Sequence, residues 1–553
     1  MAPRRDGRRT HIVARGLDTA TSALAVAYSA IAGRPFVSAI LVTVMALLLA
    51  AAASAAYGFP PPAVHDEFSY LLGADTFASG RLTNPTHPMW RYFETFHVLQ
   101  RPTYNSKYPP ANALFIAAGW ALTGRPIVGV WLSFAFMCVA VYWMLRAWTG
   151  GQFALGISLA FASWLAASYW SYSYWGGAVA AGAGALMLGA LYRIVDRRAG
   201  AGTAILLGLG LLLLANSRPY EGELLALPAA VVLVRWLWRD RQTTWPHKRT
   251  TIVLPLLLVG TVGLVFMGVY NKAVTGRWQE MPYLRYEKQV NTNPIFLWQQ
   301  SHLDGSHVDK AAVDVVTARQ DSFFTAARTP TGRAKYVMSL TSEFFVLIIP
   351  VGLALPLLLL PLASRRRWIR FALITAAWMA IGMGVPTYFL IHYASPLVGV
   401  LLILYGDCLR WLSRFRAGAR PVGKAFVAAI VALWFLMGVG SNARAFLANR
   451  RSAHTALVTA ESMWQRRLIA DTLSHGGRRN LVIVRYGGTH SRKHEWIYND
   501  ANIDASAVVW ARDMGDSANR PLLQYFRDRS TWLVNVDSDT GPFPVSRYIP
   551  LAR

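Results

Sequence analysis

The feature that most limits the folds open to this chain is a series of apolar runs of bilayer-spanning length. They fall at 37–57, 127–146, 152–170, 176–194, 203–216, 222–238, 250–270, 341–363, 369–386, 394–410 and 424–441. A helix needs about 20 predominantly apolar residues to cross the hydrocarbon core. Eleven crossings are therefore expected, within a range of about 11–13, because a further run at 111–123 is short and suits the membrane interface. With 54% hydrophobic and only 15% charged residues, a soluble globular class is excluded. The net charge of +27 would suit nucleic acid if the basic residues formed one surface. They cluster instead at 3–9, 196–198, 235–249, 364–370 and 410–420, between apolar runs. That is the positive-inside pattern of cytoplasmic loops, and nucleic acid is set aside. The two cysteines, Cys138 and Cys408, both lie in apolar runs, so neither a disulfide framework nor a thiolate metal motif is expected.

These runs divide the chain. Residues 1–36 form a basic cytoplasmic leader, and 37–441 form the transmembrane domain. The small residues ending the first run resemble a signal-peptide cleavage site, but the run is long and begins far from the N-terminus. An odd number of crossings places 58–110 and 271–340 outside as the two large loops, together with the tail. The second loop is rich in aromatics at 277–298 and helix-like at 310–327. In 442–553 the runs 481–486, 505–511 and 530–536 read as strands between Gly, Asn and Asp, predicting a small outer α/β domain. The expected fold is a polytopic α-helical membrane protein carrying that domain.

The chemistry-bearing residues concentrate in 58–110. Asp66-Glu67 opens a predicted amphipathic helix, with Phe68, Leu71 and Leu72 at helical spacing and Gly80 as its stop. Arg101 and Lys107 follow, the latter just before Pro109-Pro110. Two further polar breaks interrupt apolar hairpins whose flanks are both basic. One is NSRPYEGE, with Arg218 and Glu221, and the other is VPTYFLIHYASP, with His392 and Tyr393. Both tips are expected on the same face as Asp66. Charged groups at a membrane surface are costly unless partnered or functional. If a group moves from a lipid phosphate to a hydroxyl, a carboxylate must take the hydroxyl proton and cations must stabilise the departing phosphate. Asp66 or Glu67 suits the first task; Lys107, Arg101 and Arg218 suit the second.

Asp66-Glu67 with Tyr70, then Gly80, then Lys107 ahead of Pro109-Pro110, resembles the first outer loop of bacterial GT-C glycosyltransferases. These are the polytopic enzymes related to protein O-mannosyltransferases and the lipid A aminoarabinose transferase. A tyrosine stands between Lys107 and Pro109, a departure from the lysine-proline pattern. The resemblance covers roughly 35–240, and later spans match in general layout. The chain is also similar to a bacterial branch with NSRPYEG-like and HYASP-like tips and an outer C-terminal domain. The resemblance implies a GT-C-like fold in the bacterial inner membrane, with its site facing the periplasm or exterior. It further implies an inverting transferase using a polyprenyl-phosphate sugar donor and an envelope glycan, lipid or protein acceptor. The first loop's acid would be the base, the cations would hold donor phosphate, and Tyr70, Glu221, His392 and Tyr393 would line the cavity.

Plainer readings stand beside these. First-turn acids also complement the helix dipole. Lys107 could anchor at the interface, and Arg218 with Glu221 could form a structural ion pair. His392 could be a hydrogen-bonded core histidine and Tyr393 an interfacial aromatic. Trp170, Tyr172, Tyr174 and Trp175 suit an aromatic belt, with sugar stacking the alternative. His65, His87 and His97 share the acidic loop and leave room for a divalent ion, but their spacing does not require one. A membrane transporter or lipid flippase for an envelope precursor remains the alternative function, although no repeat pair is visible. A non-catalytic assembly protein is a third.

Overall fold

The computed structural model describes residues 23–166, 168–290, 295–299, 328–448, 461–475, 477–488, 490, 494–538 and 540–549. The helix-like stretch 310–327 and most of the basic leader lie outside the described residues. Each of the eleven apolar runs contains helix, from Pro35–Tyr57 and Pro126–Trp148 to Val422–Ala448. Among the described residues, six helices are long and apolar enough to cross a membrane, or seven if Pro330–Ile348 and the segment Val351–Ala363, bent by 79°, count as one span. The remaining apolar runs form helices that are shorter or carry charges. Gly151–Leu165 and Ala201–Ala215 each run only 15 residues before polar or aromatic tips. Pro219–Arg239 starts at the NSRP tip and carries Glu221, Glu223 and Pro228. The run 111–123 is the 14-residue helix Pro110–Thr123.

Small residues let these helices approach closely. Gly119 of Pro110–Thr123 lies so near Gly129 of the next helix that an added Cβ would sit 1.9 Å from its backbone nitrogen. Pro126–Trp148 packs against Ala178–Arg197 and Pro35–Tyr57, and Ala178–Arg197 against Ala201–Ala215. The Leu254–Thr275 helix exposes Leu257, Leu258, Val262 and Leu264, and Trp238 and Trp245 stand exposed near the basic segment 239–249. Apolar faces of this extent suit lipid and aromatics suit the interface; the chain is a multi-pass membrane protein.

Among the described residues, two small sheets complete the fold. Within 58–110, β3 (Thr103–Ser106) pairs antiparallel with β1 (Asn84–Pro85) and β2 (Val98–Leu99). In the C-terminal region β4 (Asn480–Tyr486) lies between β5 (Val508–Arg512) and β6 (Ser530–Val536), all parallel. The antiparallel strand β7 (Val545–Arg547) forms the edge. The three expected strands are present, and β7 is an addition. This sheet does not bury its apolar side alone. Phe68, Leu72, Tyr92, Phe93, Val98 and Tyr104 of the first loop share one core with Val482, Val484, Trp496 and Val509. The loop and the C-terminal region therefore fold together.

Candidate active site

The Asp66 helix is His65–Ala78. It stops as expected, with Gly80 at φ +72°, a conformation glycine takes without Cβ strain. Asp66 and Glu67 stand in its first turn but have different surroundings. Glu67 is 1% exposed. Its Oε2 accepts from the Ala63 and Val64 amides (2.7 and 3.3 Å) and its Oε1 from the Tyr174 amide (2.9 Å). Burial pushes its carboxyl up to about 7, against the downward pull of those amide donors. Oε2 thus closes on the helix start while Oε1 ties it to the segment 168–177, so this carboxylate carries a structural task.

Asp66 is half-buried and keeps room for chemistry. Its Oδ1 accepts the Tyr108 hydroxyl, and its Oδ2 lies 4.0 Å from His97 Nε2. Burial holds the His97 ring well below its ordinary pKa, so the contact is with a neutral imidazole. Pairing of β2 with β3 sets His97 and Tyr108 in place. The Lys107 amide donates to the His97 carbonyl (3.2 Å), and Ser69 donates to that same carbonyl (2.6 Å) while meeting the Ser106 hydroxyl at 2.8 Å. Ser69 and Tyr70 stand three and four residues beyond Asp66, so all three share one helix face. Tyr70 stacks on Tyr108 at 4.6 Å.

The three cations expected to hold phosphate separate. Arg101 is exposed and lies over the Trp90 ring at 4.2 Å; among the described residues nothing brings it to Asp66. Lys107 is 4% exposed, and its Nζ is 3.0 Å from Glu287 Oε1. The Tyr283 and Tyr286 rings flank it at 4.8 and 4.5 Å. Tyr283, Tyr286 and Glu287 fall at i, i+3 and i+4 on the helix Pro282–Val290, so one face supplies the whole enclosure. Breaking a buried ion pair from one side costs about 3–5 kcal/mol. Lys107→Ala is accordingly expected to lower stability by about 3 kcal/mol, and Lys107→Met combined with Glu287→Gln to recover most of it. Thermal unfolding of the three proteins in detergent checks this.

Arg218 is different. It stands at the N-cap of Pro219–Arg239, half-buried, with its guanidinium 4.1 Å from the Tyr393 ring centre. Among the described residues no carboxylate is within ion-pairing distance of it. Glu221, buried less than one turn along, acts on it only at longer range. The Ala111 amide donates to the Asn216 carbonyl (2.9 Å), fastening this tip to the segment that follows Lys107-Tyr108. Asp66 and Arg218 then act electrostatically on the same groups, namely Tyr70, Tyr108, Tyr393 and His392. The first loop and both tips thus meet at one end of the bundle. Beside them a small recess is lined by Lys107, Pro109, Pro110, Met267, Tyr270 and Tyr283.

The sequence pointed to Asp66, Arg218, Tyr70, His392, Tyr393 and Glu221, and these converge. It did not single out Tyr108, His97 as a neighbour of Asp66, or Tyr283, Tyr286 and Glu287. The one available signal was Tyr108, the residue that departs from the lysine-proline pattern. Among the described residues no group of three or more His, Cys, Asp or Glu could hold a metal ion.

No protein-family profile matches the chain, and no curated protein does. Among solved structures it is similar to ArnT from Cupriavidus metallidurans in the apo state, at 16% identity and TM-score 0.47 over 93% of each chain. It is similar to the same protein bound to undecaprenyl phosphate, at 14% identity and TM-score 0.47 over 90% and 92% of the two chains. It is also similar to the archaeal oligosaccharyltransferase AglB from Archaeoglobus fulgidus in complex with an inhibitory peptide and a dolichol-phosphate. There the identity is 13% and the TM-score 0.46, over 90% of this chain and 69% of that one. At these identities and scores the likeness is one of layout.

Proposed function

We propose that the protein is an inverting glycosyltransferase taking a sugar from a polyprenyl-phosphate donor to an acceptor hydroxyl of the cell envelope. The reaction would occur on the periplasmic or exterior side of the inner membrane. The observation that carries this reading is the pairing of an accessible carboxylate, Asp66, with a cation that has no carboxylate partner among the described residues, Arg218, across one set of tyrosines. In the step, Asp66 takes the proton of the acceptor hydroxyl as its oxygen attacks the anomeric carbon. The bond from that carbon to the phosphate oxygen breaks on the opposite face, and the lipid phosphate leaves with the electron pair. Attack and departure on opposite faces give inversion. The Arg218 fork and the nearby Tyr393 hydroxyl stabilise the phosphate as charge develops on it. Lys107, neutralised by Glu287, shapes the wall of the recess beside this site.

The undecaprenyl phosphate and dolichol-phosphate held by the two structural neighbours are of the same chemical class as this donor. Arg218→Ala tests the reading. A charge-assisted hydrogen bond contributes about 1.5–3 kcal/mol, so affinity for a polyprenyl phosphate is expected to fall roughly 10–100-fold. Titration of the full chain in detergent with farnesyl phosphate measures it. Unchanged affinity would remove the phosphate site from Arg218.

A further inference from the structure

Buried polar atoms in folded proteins nearly always have partners, and each exception calls for an explanation. Three exceptions stand together beside the Asp66–Arg218 gap, one of them the Tyr169 hydroxyl. His392 is 2% exposed and its Nε2 has no hydrogen-bond partner; the indole N–H of Trp175 has none either. Their rings lie 4.7 Å apart, with Tyr169 5.9 Å from Trp175 and 6.3 Å from His392.

This cluster is held firmly. The Glu67 carboxylate takes the Tyr174 amide, Ser173 Oγ accepts from the Trp175 amide (3.1 Å), and the same hydroxyl donates to the Tyr169 carbonyl (2.9 Å). A loose surface belt would not need a buried carboxylate to place it. The His392 ring is within electrostatic reach of both Asp66 and Arg218.

Resting on the glycosyltransferase reading, we propose that Trp175, His392 and Tyr169 form the seat of the transferred sugar ring, a pyranose whose hydroxyls pair with His392 Nε2 and the Trp175 N–H. In an in-line displacement the anomeric carbon lies between base and phosphate, so the rest of the ring must lie to one side, next to both. An aromatic wall with a few polar atoms suits a neutral sugar, which has apolar C–H faces and hydroxyl edges. An isoprenoid tail in that place would leave both nitrogens unpaired, and the phosphate is better served by Arg218.

The test compares farnesyl phosphate with its glucosyl and mannosyl phosphodiesters on the full chain, on Trp175→Phe and on His392→Phe. The unmodified chain is expected to bind at least one phosphodiester more tightly than farnesyl phosphate. Each variant is expected to lose about tenfold for that phosphodiester, the size of one hydrogen bond, and to keep its affinity for farnesyl phosphate within about twofold. The two variants remove the two nitrogens independently, so one that fails to fold leaves the other to decide. Equal weakening of both probes, no weakening, or no preference in the unmodified chain would overturn the sugar seat. Farnesyl phosphate binding that depends on Arg218, without any sugar preference, would sink this inference and leave the donor-phosphate reading standing. Binding that ignores Arg218 would remove the reading beneath it.

Discussion

Asp66→Asn is expected to reduce turnover about 10³-fold while leaving the fold and donor affinity nearly unchanged. A positioned general base contributes about 10²–10⁴-fold, and the amide cannot accept a proton at neutral pH. The substitution is otherwise mild. Asn keeps a carbonyl oxygen for the Tyr108 hydroxyl, and the neutral His97 ring loses no ion pair. Release of free polyprenyl phosphate by purified protein, measured alongside its melting temperature, gives both readouts. Normal release by the Asp66→Asn protein would exclude Asp66 as base. Glu67→Gln should differ in kind. A single amide oxygen cannot serve the Ala63, Val64 and Tyr174 amides together, so its first effect is on folding. A pair of variants at adjacent positions thus separates chemistry from structure.

The extent to which the site could be read from the sequence follows a physical rule. Asp66 was visible as an acid opening a helix in the first polar interval, Arg218 and His392 as costly groups interrupting apolar sequence, and alternation of basic flanks indicated which tips share a face. What each group contacts was not visible. Lys107 and Arg101 are both cations on one loop, yet one is enclosed by Glu287, 180 residues further on, and the other lies on Trp90 in solvent. No local pattern distinguishes them. Phe68 and Leu72 announced a buried face at helical spacing without naming what covers it. Helix ends were less legible for a related reason. The apolar runs continue to 170 and 216, whereas the helices end at Leu165 and Ala215, where hydroxyl- and proline-containing tips take over the backbone.

The cover over Phe68 leads to the second large effect. Removing 461–553 is expected to abolish turnover even though no residue of that segment is assigned a chemical role. Tyr498 stacks flat on Phe68 at 4.0 Å and 5°, and its hydroxyl is 2.7 Å from His65 Nδ1, the residue before Asp66. The Ala501 amide donates to Asp75 on the same helix (2.7 Å), and the Tyr104 hydroxyl donates to the Asn499 carbonyl (2.9 Å). Without them the Asp66 helix would expose Phe68 and Leu72 to water and lose its N-terminal anchor. Tyr498→Ala gives a graded form of the same result. Losing a buried aromatic costs about 3–5 kcal/mol, here concentrated at the turn that aims Asp66. Tyr498→Phe keeps the stacking and should cost about 1 kcal/mol. The expected order of turnover is therefore unmodified chain, Tyr498→Phe, Tyr498→Ala, truncation, with protease cleavage within 58–110 rising in the same order. An acceptor-binding domain without a positioning role would behave otherwise. Tyr498→Ala would then leave the first loop protected, and the truncated protein would still release polyprenyl phosphate slowly to water. Cleavage and release measured on one preparation decide between a domain that recruits a substrate and one that holds the catalytic helix in place.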